Sequence, residues 1–312
     1  MADLNTLSLA EFWEVVNRDA GVHKLLELAR DEDLGPTGGV GDITSSVLVK
    51  DDHPEKAELV FRSGGVVSGV YALAPLIGAF GFAGQVSFRA QDGQTIGAGE
   101  SAAVFHGRAR DILGLERTAL NLVGRMSGIA TLTSRYVEAV KGTRCRVLDT
   151  RKTTPGWRLL EKYAVRCGGG YCHRMGLYDA VLIKDNHLAG VPVDRLAAFV
   201  SGLVHQAQIV SRFRKAELSF VECEVDTLEQ LRALLDAGGC GLDIVLLDNM
   251  TPAQLTEAVA ARDRSGLPIA LEASGGVTLK TVRAIAETGV DRASIGALTH
   301  QATSLDVGLD FA

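Results

Sequence analysis

These 312 residues contain no long run of lysine or arginine, no cysteine pair spaced CxxC, no apolar stretch of membrane-spanning length, and no GxGxxG turn between a strand and a helix. Each absence removes a class of protein. Lys and Arg number 32 against 38 Asp and Glu, a formal net charge of −6, and the pI is near 5.7. Neither nucleic acid nor an anionic membrane is therefore expected as the main partner. The five cysteines, Cys145, Cys167, Cys172, Cys223 and Cys240, are odd in number. They suit neither a disulfide framework nor a thiolate zinc site, and read as reduced thiols. The opening MADLNTLSLAEFWEVV carries acids where a secretory leader carries basic residues ahead of an apolar core. With no spanning segment either, the expected location is the cytoplasm.

What remains is an ordinary globular composition, 46% apolar and 22% charged, in a chain long enough for a large core plus a second module. The first third mixes signals. Helical spacing over Leu7 to Asn17 and His23 to Asp31 is followed by a glycine-rich turn, GPTGGVGDITS, and by strand-like runs at Ala57 to Arg62, Val86 to Gln91 and Ala102 to Gly107. From Asp111 to Val140, apolar residues recur every three and four positions, which predicts one long helix.

Beyond Lys141 the rhythm changes. Six short apolar runs end in or just before a charged, polar or glycine residue: Arg146 to Asp149, Ala180 to Lys184, Phe220 to Val225, Asp243 to Asp248, Ile269 to Ser274 and Arg292 to Gly296. TLEQLRALLDAG, TPAQLTEAVAARDR and TLKTVRAIAETG follow the third, fourth and fifth as helices. This alternation predicts right-handed crossovers and a parallel sheet. Without a dinucleotide fingerprint, a barrel is favoured over a doubly wound sheet. In a barrel the carboxyl ends of the strands line the active site, so the residues closing each run become the candidates.

Three constellations stand at those ends. The first is basic. Arg151 and Lys152 follow a strand in DTRKTTPGWR, His173 and Arg174 lie in GGGYCHRMGL, and Lys184 closes the next strand. Guanidinium forks and ammonium point charges converging in this way select a small polyanion, so the segment Asp149 to His187 supplies much of an anion site. Taken singly, each of these residues reads first as a surface salt bridge, and it is their repeated position at strand ends that favours the functional reading.

The second constellation is acidic: Glu222 and Glu224 share one face of a strand, and Asp248 ends the following one. Such carboxylates hold a phosphate-bound cation or stabilise positive charge on a sugar carbon. They serve equally as partners for the nearby bases. The third is glycine-based, ASGG at 273–276 and SIGA at 294–297, where backbone N–H groups can cradle phosphate. Tight turns are the bland alternative. Gly168-Gly169-Gly170 reads as a flexible or closely approached loop, and His23, His53, His106 and His205 carry no assignment.

Taken together, DTRKTTPGWR, CGGGYCHRMGL, IKDNH, ECEVD, LLDN, SGG and GVDRASIGALTH resemble the quinolinate phosphoribosyltransferase family, in order and in spacing. GDITS at 41–45 and ERTALNLVGRMSGIAT at 116–131 extend the resemblance to nearly the whole chain. It implies an α/β protein: an N-terminal α+β sandwich-like domain (residues 1–117), an incomplete parallel α/β barrel (118–298), and a C-terminal segment (299–312) packing back on the first domain. It also implies a homodimer with shared active sites, higher assembly being left open, in which Arg117 reaches the partner's site.

The substrates implied are quinolinate and phosphoribosyl pyrophosphate, with Mg²⁺ as cofactor. The products would be nicotinate mononucleotide, CO₂ and pyrophosphate, a step of de novo NAD synthesis. Arg151, His173, Arg174 and Lys184 match the family's quinolinate positions. Lys152, Glu224 and Asp248 match its catalytic ones, the two acids also being its ribose and metal carboxylates. Thr150, Ser274, Gly275, Gly276, Ile295, Gly296 and Ala297 complete the expected substrate contacts. Cys172 replaces an expected Asn and Cys223 a commoner Val, and neither change removes a charged group.

The rivals are a molybdenum-associated paralogue with another acceptor, a barrel lyase forming a Schiff base through Lys152 or Lys184, and a non-catalytic sensor of phosphate ligands.

Overall fold

The computed structural model describes residues 3–36, 39–49, 53–215 and 217–311. Two compact units divide the chain. One comprises Arg135–Arg151 and Gly170–Ala297, and the other comprises Leu4–Ser134, Lys152–Gly169 and the residues from Leu298 onward.

The first unit is built on six parallel strands: β1 (Arg146–Leu148), β2 (Val181–Ile183), β3 (Val221–Val225), β4 (Ile244–Asp248), β5 (Ala270–Ser274) and β6 (Arg292–Ser294). Their order in the sheet is β1-β6-β5-β4-β3-β2, and every neighbouring pair is parallel. All six expected runs are strands. Because each strand lies beside its predecessor except at the β1/β2 seam, the arrangement is an incomplete α/β barrel. At that seam Leu148 forms only a single bridge, with Tyr171.

β3 is buried at all five positions, as a strand covered on both faces must be. Its alternate residues divide the work, with Val221, Cys223 and Val225 on one face and the two glutamates on the other. Local sequence sets the crossover helices. Thr227 caps Leu228–Asp236 and Thr251 caps Pro252–Ser265, each in a capping box completed by Gln230 or Gln254, and Pro252 opens the second. The third helix, Val282–Glu287, is shorter than TLKTVRAIAETG suggested.

The second unit carries a four-stranded antiparallel sheet ordered Val307–Phe311, Pro54–Phe61, Ser101–Arg108, Gln85–Phe88. The three strands expected near its start are present within a few residues of their predicted limits. Tyr163, on helix Arg158–Cys167, is fully buried and meets Phe12 and Trp13 edge-on at 5.5 and 5.3 Å. The predicted long helix runs Ala109–Ala139.

Three local expectations need correction. GPTGGVGDITS is not all turn: Asp42 accepts from the Ser45 N–H at 3.0 Å and starts a helix, Ile43–Leu48. The second N-terminal helix is longer than expected, Ala20–Leu34, because Asp19 caps it. An apolar segment without an assignment forms helix Leu73–Phe80, stopped by left-handed Gly81. Among the described residues, no helix is long and apolar enough to cross a membrane.

Candidate active site

All six barrel strands deliver a predicted residue at or just beyond their carboxyl ends. Thr150 and Arg151 follow β1, Lys184 follows β2, Glu224 and Asp248 lie in the last turn of β3 and β4, and Ser274 closes β5. Ile295 and Gly296 follow β6. Their parallel register brings this about, since Ser274 pairs with Asp248, and Ser294 with Leu148. Residues far apart in sequence thus share one rim.

The basic set is concentrated there. Burial and then the neighbouring positive charge of Arg151 pull Arg174 below the ordinary guanidinium range, against the opposing pull of Glu222 and Asp179. A half-buried guanidinium disfavoured by burial and by a second positive charge is poised for an anion. Asp179 shapes the segment bearing Arg174 by accepting from the main-chain N–H groups of Met175 at 2.7 Å and Gly176 at 2.8 Å.

His173 is buried. Its main-chain N–H donates to Asp149 Oδ1 at 2.8 Å, and its Nδ1 accepts the Arg174 N–H at 2.8 Å. Nε2 lies 3.0 Å from Glu222 and 3.4 Å from Glu272, while Arg292 Nε lies 2.6 Å from Glu272. These charges sit where water cannot screen them. Glu272 is held well below the usual carboxylate range, to about 2, by His173 and Arg292 against the cost of burial. Burial and the adjacent Glu272 push Glu222 the other way.

The two carboxylates draw the His173 ring toward its charged form, up to about 9, against burial. The Arg174 N–H takes up the Nδ1 side of the ring, so Nε2 is the ring nitrogen left to face the two carboxylates. His173, Glu222 and Glu272 also lie close enough to hold a metal ion, one ligand atom from each falling within 4.8 Å of the others.

The remaining acids face a base and each other. Lys184 is ion-paired with Glu224, so the bland expectation of acid–base pairing is realised there. Asp248 is raised by burial, then by Glu224 and Asp226, the signature of carboxylates crowding a place that a cation would relieve. Asp248 also accepts from the Asn249 side chain at 2.6 Å. The adjoining glycines are required by conformation: Gly275 and Gly276 have φ of 85° and 60°, and a Cβ on Gly275 would stand 2.1 Å from Asn249 Oδ1. Gly168 is likewise closely approached, its Cβ position lying 2.4 Å from the Ala130 carbonyl oxygen.

Two expected residues belong to the other unit. Lys152 is exposed, and its main-chain carbonyl accepts from Thr299 Oγ1 at 2.6 Å. Arg117 is exposed on helix Ala109–Ala139 and lines a cavity of about 420 Å³ with Asn121, Arg125, Thr154 and Trp157 among others. Nearby, Arg125 is ion-paired with buried Glu161, which also accepts from Thr154.

Residues 129–310 match the family described as quinolinate phosphoribosyl transferase, C-terminal domain, and residues 42–127 match its N-terminal domain. The chain belongs to the quinolinate phosphoribosyltransferase family. It is 44% identical over 271 residues to the nicotinate-nucleotide pyrophosphorylase (carboxylating) of Mycobacterium leprae, covering 86% of this chain and 90% of that one. To the probable enzyme of the same name from Bacillus subtilis it is 39% identical, covering 87% and 88%. The solved nicotinate-nucleotide pyrophosphorylase of Francisella tularensis superposes with a TM-score of 0.81 at 32% identity, over 100% of both chains.

Sequence reasoning passed over Glu272, Arg292, Asp149 and Asp179. A signal for one was present: Glu272 precedes Ser274 by two residues as Glu222 precedes Glu224, a charge in mid-strand where the strand is otherwise apolar. Nothing local marked Arg292, because its partner comes from the neighbouring strand.

Proposed function

We propose that the protein transfers the phosphoribosyl group of phosphoribosyl pyrophosphate to the ring nitrogen of quinolinate, with loss of the 2-carboxylate. Family membership over both domains supports the reaction, and one structural observation carries the site: Arg151 beside Arg174 on a barrel rim whose next strands end in Lys184, Glu224 and Asp248. A dicarboxylate matches the positive end and a ribose bearing phosphates matches the acidic and glycine-rich end.

Arg151, Arg174 and Lys184, with Thr150, hold quinolinate with its nitrogen facing C1 of the ribose, and His173 stands behind Arg174. The C1–pyrophosphate bond breaks as the N–C1 bond forms, through a state with positive charge on the sugar. Glu224 and Asp248 accept from the ribose hydroxyls and favour that charge. Lys152 meets the departing pyrophosphate, and Ser274, Gly275, Gly276, Ile295, Gly296 and Ala297 offer N–H groups to the 5-phosphate. In the cationic adduct, the quaternised nitrogen stabilises the carbanion left when CO₂ departs. The crowded carboxylates Glu224 and Asp248 are hard oxygen donors suited to Mg²⁺, which when bound neutralises the pyrophosphate.

Arg117 serves the site of a second subunit, and the protein works as a cytoplasmic homodimer. Its five cysteines are free thiols, in keeping with a reducing compartment.

The molybdenum-associated and Schiff-base readings draw no support from the family comparison. Lys184 is ion-paired and Lys152 is exposed, and neither lies in the apolar pocket that frees a lysine amine. Incubation with quinolinate, phosphoribosyl pyrophosphate and Mg²⁺ should yield nicotinate mononucleotide, CO₂ and pyrophosphate in equal amounts. CO₂ release without phosphoribosyl pyrophosphate, or no mononucleotide at all, would overturn the proposal.

A further inference from the structure

Both ring nitrogens of His173 are engaged inside the protein. Nδ1 takes the Arg174 N–H at 2.8 Å, and Nε2 faces the Glu222 and Glu272 carboxylates at 3.0 and 3.4 Å. The ring edge packs against Phe220, with centroids 5.2 Å apart, and Arg292 crosses the same Phe220 ring at 5.6 Å while its Nε meets Glu272. A side chain that bound substrate through its ring would have to aim a nitrogen at it. This ring is instead a wedge between a buried ion-pair network and the main chain of the next residue.

We infer that His173 is a positioning residue, and not a substrate ligand. By accepting the Arg174 N–H it fixes where the Arg174 guanidinium enters the anion site, while Glu222, Glu272 and Arg292 fix the ring. The network uses three strands for this, since Glu222 lies on β3, Glu272 on β5 and Arg292 on β6. The Arg292 guanidinium already stands at Glu272, and Nε2 of the ring faces both carboxylates. The inference rests on the reading of Arg174 as the residue that grips a quinolinate carboxylate.

The test exploits the two positions of the ring nitrogens. Asparagine carries its oxygen where Nδ1 stands and can still accept the Arg174 N–H, whereas glutamine reaches the Nε2 position and leaves that N–H unmet. Steady-state kinetics of the full-length enzyme should show that His173→Ala and His173→Gln each raise KM for quinolinate about tenfold, with KM for phosphoribosyl pyrophosphate within about twofold. His173→Asn should return quinolinate KM to within about threefold of wild type.

Direct substrate contact through Nε2 requires the reverse order, with glutamine rescuing and asparagine as poor as alanine, and that result would overturn the inference. So would an equal loss for both substrates in all three variants. Should the alanine variant fail to fold, the asparagine and glutamine pair still carries the comparison. Wild-type turnover is measured first. If it is absent, the activity reading fails by itself, and quinolinate binding by calorimetry then ranks the same variants.

Discussion

Replacing Arg292 by leucine should destabilise the barrel unit far more than loss of a surface arginine would. The Arg292 side chain is 18% exposed and its partner Glu272 is fully buried, with 2.6 Å between Nε and the carboxylate. For charge centres ~4 Å apart at an effective dielectric constant of about 20, the lost attraction is on the order of 4 kcal/mol. Breaking one side of a buried pair generally costs about 3–5 kcal/mol, because the other charge stays behind without its partner. His173 remains near Glu272 but at 3.4 Å, so it compensates only in part.

At roughly 2–4 °C per kcal/mol for a unit of this size, Arg292→Leu should melt about 10 °C below wild type at pH 7. The double variant Glu272→Gln/Arg292→Leu removes the stranded charge and should recover at least half of the loss. Urea unfolding followed by circular dichroism would measure the cycle. An Arg292→Leu variant within ~1 kcal/mol of wild type, or a double variant no more stable than the sum of the singles, would show that the network does not hold the strands as argued.

Other consequences can be checked with the same preparations. Glu272, held at about 2 in the folded state, contributes stability that is present above the unfolded carboxylate value near ~4.3 and is lost as pH falls from there toward 2. Melting curves across that window should therefore fall more steeply for wild type than for Glu272→Gln, and parallel curves would contradict the assignment. Gly275→Ala combines a positive φ with a Cβ 2.1 Å from Asn249 Oδ1, whereas Gly276→Ala has positive φ and open space. The first should cost about 3 kcal/mol and the second about 1 kcal/mol in urea melts, where backbone strain alone is worth roughly 1–2 kcal/mol, and equal costs would refute the close approach. Arg151→Ala should lower kcat/KM for quinolinate by a factor of roughly 30–150, the worth of a charge-assisted hydrogen bond of about 2–3 kcal/mol. Unchanged quinolinate affinity in that variant would remove Arg151 from the anion site.

Much of the barrel was legible in the chain because its determinants are local. Alternation along β3 put Glu222 and Glu224 on one face, helical stretches followed the third and fourth runs, and the apolar runs ended close to where the strands end. The N-terminal helix at Ile43–Leu48 was obscured because neighbouring glycines outweighed the single Asp42 cap. Val307–Phe311 was not marked as a strand, since it becomes one only by pairing with Pro54–Phe61, some 250 positions away.

The division within the site has the same cause. Residue type alone determined that Arg151, Arg174 and Lys184 could bind an anion and that Glu224 and Asp248 could face a sugar or a cation, because those capacities belong to the side chains. Only the tertiary structure decided that Lys184 is ion-paired with Glu224, that Arg151 bears on Arg174, and that His173 faces inward to Glu222 and Glu272. Hydrogen-bond direction and burial depend on strands β1, β3, β5 and β6 coming together in register, and no short window of sequence contains that information.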